Sequence, residues 1–215
     1  MGLKGAPSHF QREIAVILGG LLGTICELYL DDLIVFAETE KEFIDNLTAI
    51  FQRLREFKIT CNPKKCRFGM DSVEYVGHTI DSQGLTFSRK KIDQVLDFPL
   101  PTLIKELHSF RGLVNYFADH LRDLTSALMG LRQLLLDSQK TKRLIWSESL
   151  KNDFQNVKDM VNNLPKLYFM NETDPVIVFT DASDYGIGSY ICQTVQQEER
   201  PIAFMSKSLS KDEKK

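Results

Sequence analysis

Apolar positions along this chain fall into two spacings, and each change of spacing marks an element. Residues 25–28, apolar but for Glu27, and the apolar run 33–37 lie on either side of Tyr29-Leu30-Asp31-Asp32. Ile, Val and Phe favour strands, whereas Asp favours turns because its side chain bonds nearby backbone groups. The stretch therefore predicts a hairpin whose tight turn carries Asp31 and Asp32. Next, Phe43, Ile44, Leu47, Ile50, Phe51, Leu54 and Phe57 recur at helical spacing and predict one apolar stripe on a scaffold helix. Thr39 with Glu42 fits a capping box at its start. A turn is expected at 81–84, and helices at 88–98, 103–121 and 147–163. Towards the end, strands are expected at 176–179, 188–193 and 202–205, with a polar turn at 196–200 between the last two. The mixture gives an α+β fold class.

Composition narrows the picture. With 215 residues, 43% hydrophobic and 26% charged, the chain is long enough for one to two soluble domains with a real core. The net charge of −2 is unusual for a nucleic-acid binder, because phosphate affinity comes from Lys and Arg. Any basic surface must then be local, at Lys64-Lys65-Arg67, Arg89-Lys90-Lys91 or Lys140-Lys142-Arg143, each of which also reads as an ordinary solvated face. Cys26, Cys61, Cys66 and Cys192 form no CxxC pair and no zinc spacing, so free thiols in an intracellular, reducing compartment are expected. The longest apolar stretch, 14–26, contains Gly19, Gly20 and Gly23 and is shorter than the roughly 20 residues of a bilayer span, so no membrane partner is expected. No signal peptide is expected, since Met1 leads straight into a Gly-containing loop. Domain boundaries are expected at 99–102, where Pro99 and Pro101 stiffen the chain, or in the polar run 136–142.

The chemistry lies in the Asp pair. Two carboxylates held together on a hairpin suit a divalent cation, and Mg²⁺ binds through one or two carboxylates plus substrate phosphates. In isolation such a pair also reads as a solvated turn. Ahead of it, Gly2-Leu3-Lys4-Gly5-Ala6-Pro7-Ser8-His9-Phe10-Gln11 is a glycine-containing loop with a lysine, and Pro7 stands near a helix start.

Further motifs follow in order: Asn62-Pro63-Lys64-Lys65-Cys66-Arg67-Phe68, then Val76-Gly77-His78. Together with Gly-Leu-Lys-x-Ala-Pro-x-x-Phe-Gln and Tyr-Leu-Asp-Asp, they resemble the palm of a reverse transcriptase from gypsy-class long-terminal-repeat retroelements. Leu107-His108-Ser109-Phe110-Arg111-Gly112-Leu113-Val114-Asn115-Tyr116-Phe117 is similar to the family's thumb and connection. Trp146-Ser147-Glu148 with Phe154, then Phe179-Thr180-Asp181-Ala182-Ser183 with Gly186-Ile187-Gly188, look like the approach to a ribonuclease-H-like domain and its opening hairpin. The resemblance covers nearly the whole chain. It implies a partial palm at 1–98, a thumb/connection at 99–165 and the start of a ribonuclease-H-like mixed sheet at 166–215.

By this resemblance Asp31 and Asp32 bind the catalytic metal, Mg²⁺ or in its place Mn²⁺, for transfer of a nucleotide onto a primer 3′-hydroxyl. Tyr29 packs beside the primer terminus, and Gly2, Lys4, Pro7, Phe10 and Gln11 line the nucleotide and template pocket. Lys64 or Lys65 stands where the family carries a lysine near the leaving pyrophosphate. Val76, Gly77 and His78 form the primer grip, although His78 alone also reads as a structural histidine. Asp181 is the first metal-binding carboxylate of the ribonuclease-H-like site, and Asp184 reads as a turn residue. Implied partners are an RNA or DNA template-primer, deoxynucleotide triphosphates and the rest of a Pol polyprotein. The family's further polymerase carboxylate stands upstream of Gly2 and its next ribonuclease H carboxylate beyond Lys215, so the isolated chain is expected to be incompetent as polymerase or nuclease. Arg111, where the family has Leu, and Ala127-Leu128, where it has Pro-Leu, are departures. The rival expectation is a non-catalytic remnant or a domesticated binding scaffold.

Overall fold

The changes of apolar spacing coincide with elements of the computed structural model, which describes residues 5–141, 143–184 and 186–210. The chain divides into two units, Met1–Val76 and Gly77–Lys215.

The first unit contains helix α1 (Ala6–Ile17), strands β1 (Cys26–Tyr29) and β2 (Asp32–Val35), helix α2 (Glu40–Glu56) and strand β3 (Ser72–Tyr75). Pro7 lies in the first turn of α1, where its missing N–H leaves no bond unmade. β1 and β2 form the expected antiparallel hairpin. Leu18, Cys26, Ile50 and Leu54 are its buried centre, with Ile14, Leu33, Val35 and Ile59 packed around them. Burying a side chain such as Ile50 contributes roughly 1.5–3 kcal/mol. Two polar interactions from α2 fix the arrangement. Arg53 donates to the carbonyls of Ile17 at 2.8 Å and Gly19 at 3.2 Å, closing the C-terminus of α1. Asn46, nearly buried, donates to the Phe36 carbonyl at 3.0 Å, just past the end of β2. The cap of α2 forms only half as expected. Glu42 N–H donates to Thr39 Oγ1 at 3.2 Å, but the Glu42 carboxylate accepts from the N–H of Glu38 at 3.1 Å, one residue before the cap.

The second unit begins with β4 (His78–Asp81) and β5 (Gly84–Phe87), then α3 (Arg89–Leu96), α4 (Ile104–Asn115), α5 (Leu124–Ala127), α6 (Met129–Thr141) and α7 (Glu148–Asn162). β6 (Leu167–Tyr168) pairs antiparallel with β5. A meander of β7 (Val176–Ala182), β8 (Gly186–Val195) and β9 (Glu198–Ser208) follows, in the order β7-β8-β9. Its core is helical: Leu107, Phe110, Val114 and Phe117 recur at helical spacing and pack with Leu131, Leu134, Phe154, Val157 and Val161. The Asp81 carboxylate organises the β4–β5 turn, accepting from the N–H groups of Gln83 at 2.8 Å and Gly84 at 3.1 Å and pairing with Lys166 at 2.7 Å. Gly84 is obligatory here, because a Cβ would overlap the Leu167 carbonyl of β6.

Three details differ from the sequence expectation. The helix expected over 103–121 ends at Asn115 and gives way to a 3₁₀ turn, Ala118–His120. Phe117, His120, Leu121 and Leu124 stay buried across the break, so the apolar spacing looks continuous although the helix is not. The polar run expected to separate elements at 136–142 is helical through Thr141, with Ser138 buried on its inner side, while Lys142 lies outside the described residues. The last strands extend beyond 188–193 and 202–205, leaving a two-residue turn at Gln196 and Gln197, both with positive φ. Pro201 is tolerated inside β9 because the register with β8 shifts beside it, between Ile191 and Cys192.

Candidate functional site

Strand alternation sorts the β1–β2 hairpin into two faces. The pairs Cys26↔Val35 and Leu28↔Leu33 turn towards the core. The pairs Glu27↔Ile34 and Tyr29↔Asp32 share the other face. Leu30 and Asp31 make the turn, so Asp32 stands not in the turn, as expected, but at the first position of β2. Both Asp side chains are exposed, and Tyr29 is half exposed beside them. Leu30 has φ +54°, a conformation uncommon without glycine and of the strained kind that collects at working sites. Tyr75 adds a group that the sequence did not single out. Burial, then the carboxylates of Glu27 and Asp32, push its phenol up to about 12, so it stays neutral beside the acidic face.

The donor chemistry suits a hard cation, since the Asp pair offers carboxylate oxygens and leaves room for substrate phosphates. Among the described residues, no group of three or more His, Cys, Asp or Glu side chains converges closely enough to hold a metal ion. Of the expected pocket residues, Pro7, Phe10 and Gln11 lie on α1, which packs against β1, with Phe10 exposed. Gly2 and Lys4 lie outside the described residues. Lys64 and Lys65 are exposed, in a turn closed by Asn62, whose side chain accepts from the Lys64 N–H at 3.1 Å.

Val76 and Gly77 make the tight turn where the chain passes from one unit to the next, both with positive φ, +49° and +78°. His78 joins an aromatic cluster in the second unit, its ring 4.3 Å from that of Phe87 and 6.0 Å from those of Tyr116 and His120. Its Nδ1 is buried without a hydrogen-bond partner. Burial lowers its pKa, against a smaller opposing effect of Asp119. A neutral, packed ring is the structural role open to it.

Asp181 lies within β7, exposed, directly opposite Gly188 of β8. It opens on a cleft of about 410 Å³ shared by the sheet and the α5–α6 segment, with Asp123, Thr125, Arg132, Ser183 and Ser206 in its wall. Ser206 donates to Thr125 Oγ1 at 2.6 Å, tying α5 to β9. A Cβ at Gly188 would stand 3.8 Å from Asp123 Oδ1, so Asp123 overlooks the face of the sheet that carries Asp181. Asp123 and Arg132 are far from Asp181 in sequence, and no local motif announces them.

With this geometry in place, likeness to known proteins is informative. A family model described as reverse transcriptase (RNA-dependent DNA polymerase) matches residues 1–80, and one described as an RNase H-like domain found in reverse transcriptase matches 146–215. The retrovirus-related Pol polyprotein from transposon opus of Drosophila melanogaster is 33% identical, over 99% of this chain and 22% of its own length. The Pol polyprotein from transposon 412 of the same organism is 28% identical over 99% of the chain and 17% of its own length. The transposon Tf2-3 polyprotein of Schizosaccharomyces pombe is 28% identical over 98% and 16%. The chain thus spans about a fifth of the length of these curated relatives or less. In fold it resembles the foamy viral protease-reverse transcriptase solved with double-stranded DNA, with a TM-score of 0.81 at 22% identity over 100% of this chain and 44% of that one. The same viral protein with an RNA/DNA hybrid gives 0.78 at 21%, over 100% of this chain and 29% of that one.

Proposed function

From the premise that this chain belongs to the reverse-transcriptase and RNase H-like region of retroelement Pol polyproteins, we propose that it is a segment of a gypsy-class RNA-directed DNA polymerase whose Asp31 and Asp32 serve nucleotide transfer. The observation that carries this reading is the hairpin tip. A strained Leu30 sets Asp31 beside Asp32, both exposed, at the tip of a hairpin whose core-facing side is apolar. The reaction joins a primer 3′-hydroxyl oxygen to the α-phosphorus of a deoxynucleotide triphosphate and releases pyrophosphate. Asp31 and Asp32 would hold Mg²⁺, or Mn²⁺ in its place, and a bound ion of this kind stabilises charge on the attacking and leaving oxygens. Tyr29 borders the pair on the same face, and Pro7, Phe10 and Gln11 on α1 form one wall of the nucleotide and template pocket. Asp181 would serve the second, ribonuclease-H-like site. The three-part division at 1–98, 99–165 and 166–215 belongs to the same reading, as does an RNA or DNA template-primer as partner.

A second reading, a non-catalytic scaffold, is favoured by one fact: among the described residues no His, Cys, Asp or Glu joins Asp31 and Asp32 as a third ligand. Unshared carboxylates repel one another and hold ions poorly. For the isolated chain we accordingly expect no template-primer extension with Mg²⁺ or Mn²⁺. In a polyprotein carrying this segment, Asp31→Asn should abolish extension while sparing RNA cleavage, and Asp181→Asn should do the reverse. Extension untouched by Asp31→Asn would leave only the scaffold reading.

A further inference from the structure

The surroundings of Gly77 contain a cation that, among the described residues, no ion pair uses. A Cβ at Gly77 would stand 2.6 Å from Tyr116 Oη and 3.2 Å from Lys91 Cε. Lys91, on α3, and Tyr116, just past α4, therefore close on the backbone at this glycine. Lys91 Nζ lies 5.3 Å from the centre of the Tyr116 ring, a cation–π arrangement that holds the ammonium against a half-exposed aromatic face. Lys91 makes no ion pair among the described residues. Asp93, the acidic residue of its own helix, is engaged by Arg89 at 2.8 Å. Lys91 is therefore a positioned positive charge that no carboxylate among the described residues neutralises, in a chain whose net charge is −2.

We propose that Lys91 is a phosphate contact for the nucleic-acid strand passing Gly77, with Tyr116 as the residue that positions it. The proposal rests on the polymerase reading above and adds residues to the grip expected at Val76, Gly77 and His78. Phosphate contacts of this kind set the register of a duplex without reading its sequence. A lysine already held on a ring loses less side-chain freedom on binding than a free one. Glycine at position 77 lets Tyr116 and Lys91 pack against the turn, since a Cβ there would crowd both side chains and displace the ammonium.

The test is equilibrium binding of the full chain to a labelled RNA/DNA primer-template across a salt series. Removing one lysine–phosphate interaction should lower the slope of log affinity against log salt by about 0.9. Lys91→Met should reduce the slope by about that amount, and Lys91→Arg should restore it. Tyr116→Leu should weaken binding, and circular dichroism on each variant shows whether the fold is kept. Salt-dependent binding with an unchanged slope in folded Lys91→Met would overturn the role of Lys91 and leave the polymerase reading standing. A wild-type chain with no salt-dependent affinity for the hybrid would also overturn the role of Lys91, while the polymerase reading stands or falls by Asp31→Asn in the polyprotein.

Discussion

His120 shows most clearly how one side chain ties stability to pH. The Pro165 carbonyl can only accept, so at 3.1 Å it fixes the His120 proton on Nδ1 and leaves Nε2 buried without a partner. Burial lowers the pKa from its ordinary 6.5, and the neighbouring His78 lowers it further, against opposing effects of the Pro165 bond and Asp119. The sign follows directly. Above pH 6.5 both folded and unfolded chains hold a neutral ring and nothing changes; below it the unfolded chain takes up a proton that the folded one resists. Urea denaturation should therefore show stability falling as pH drops from 6.5, by at most about 1.4 kcal/mol per pH unit for this residue. His120→Gln should flatten that dependence, and an equal slope in the variant would assign the effect elsewhere. At this scale the sequence was partly legible. The Asp pair announced itself because two charges interrupted apolar strands. Tyr75, Asp123 and Arg132 did not, because their importance comes from what folding brings next to them.

Helix α2 decides where the hairpin sits. Ile50 and Leu54 bury against β1 and β2, and Asn46 and Arg53 bond to backbone carbonyls outside the helix. Ile50→Ala should destabilise the chain by about 2–5 kcal/mol, since it removes a fully buried branched side chain and leaves a cavity. Asn46→Ala should lose about 1–3 kcal/mol by leaving the Phe36 carbonyl unpaired. Thermal unfolding followed by circular dichroism measures both, and a loss below about 0.5 kcal/mol in either would show that α2 does not anchor the hairpin. The helix and its cap region were legible because spacing of apolar residues and a Thr with a Glu are local signals. How much of the stripe is covered was not, for Ile44, Phe51 and Phe57 lie on it and remain exposed. Spacing gives the direction of an apolar face and leaves its width to packing. The end of α4 was hidden for the converse reason, as burial continues at helical spacing through a 3₁₀ turn.

At the scale of the whole molecule, the exposed edge of a sheet bears on association. No helix among the described residues is long and apolar enough to cross a membrane. Strand β7 lies at one edge of its three-stranded sheet and exposes Val176, Ile177, Val178 and Phe179. An apolar strand with an open edge is a template for pairing with another chain. Sedimentation velocity should show self-association that rises with concentration, and Val178→Lys should suppress it; a monomer at all concentrations would show that the edge is protected. The ordered motifs made the family legible, because their residues are close in sequence. The shared cleft around Asp181 was not legible, since α5, α6 and β9 supply its walls from distant segments. The central claim is that Asp31 and Asp32 bind a divalent ion together with substrate phosphates. Titrating Mn²⁺ into a polyprotein carrying this segment with a deoxynucleotide triphosphate, and following water-proton relaxation, tests it most directly. We expect a relaxation enhancement that requires both nucleotide and polyprotein and that falls about tenfold or more in affinity for Asp31→Asn and for Asp32→Asn. An enhancement unchanged in both variants, or none in the wild-type polyprotein, would contradict it.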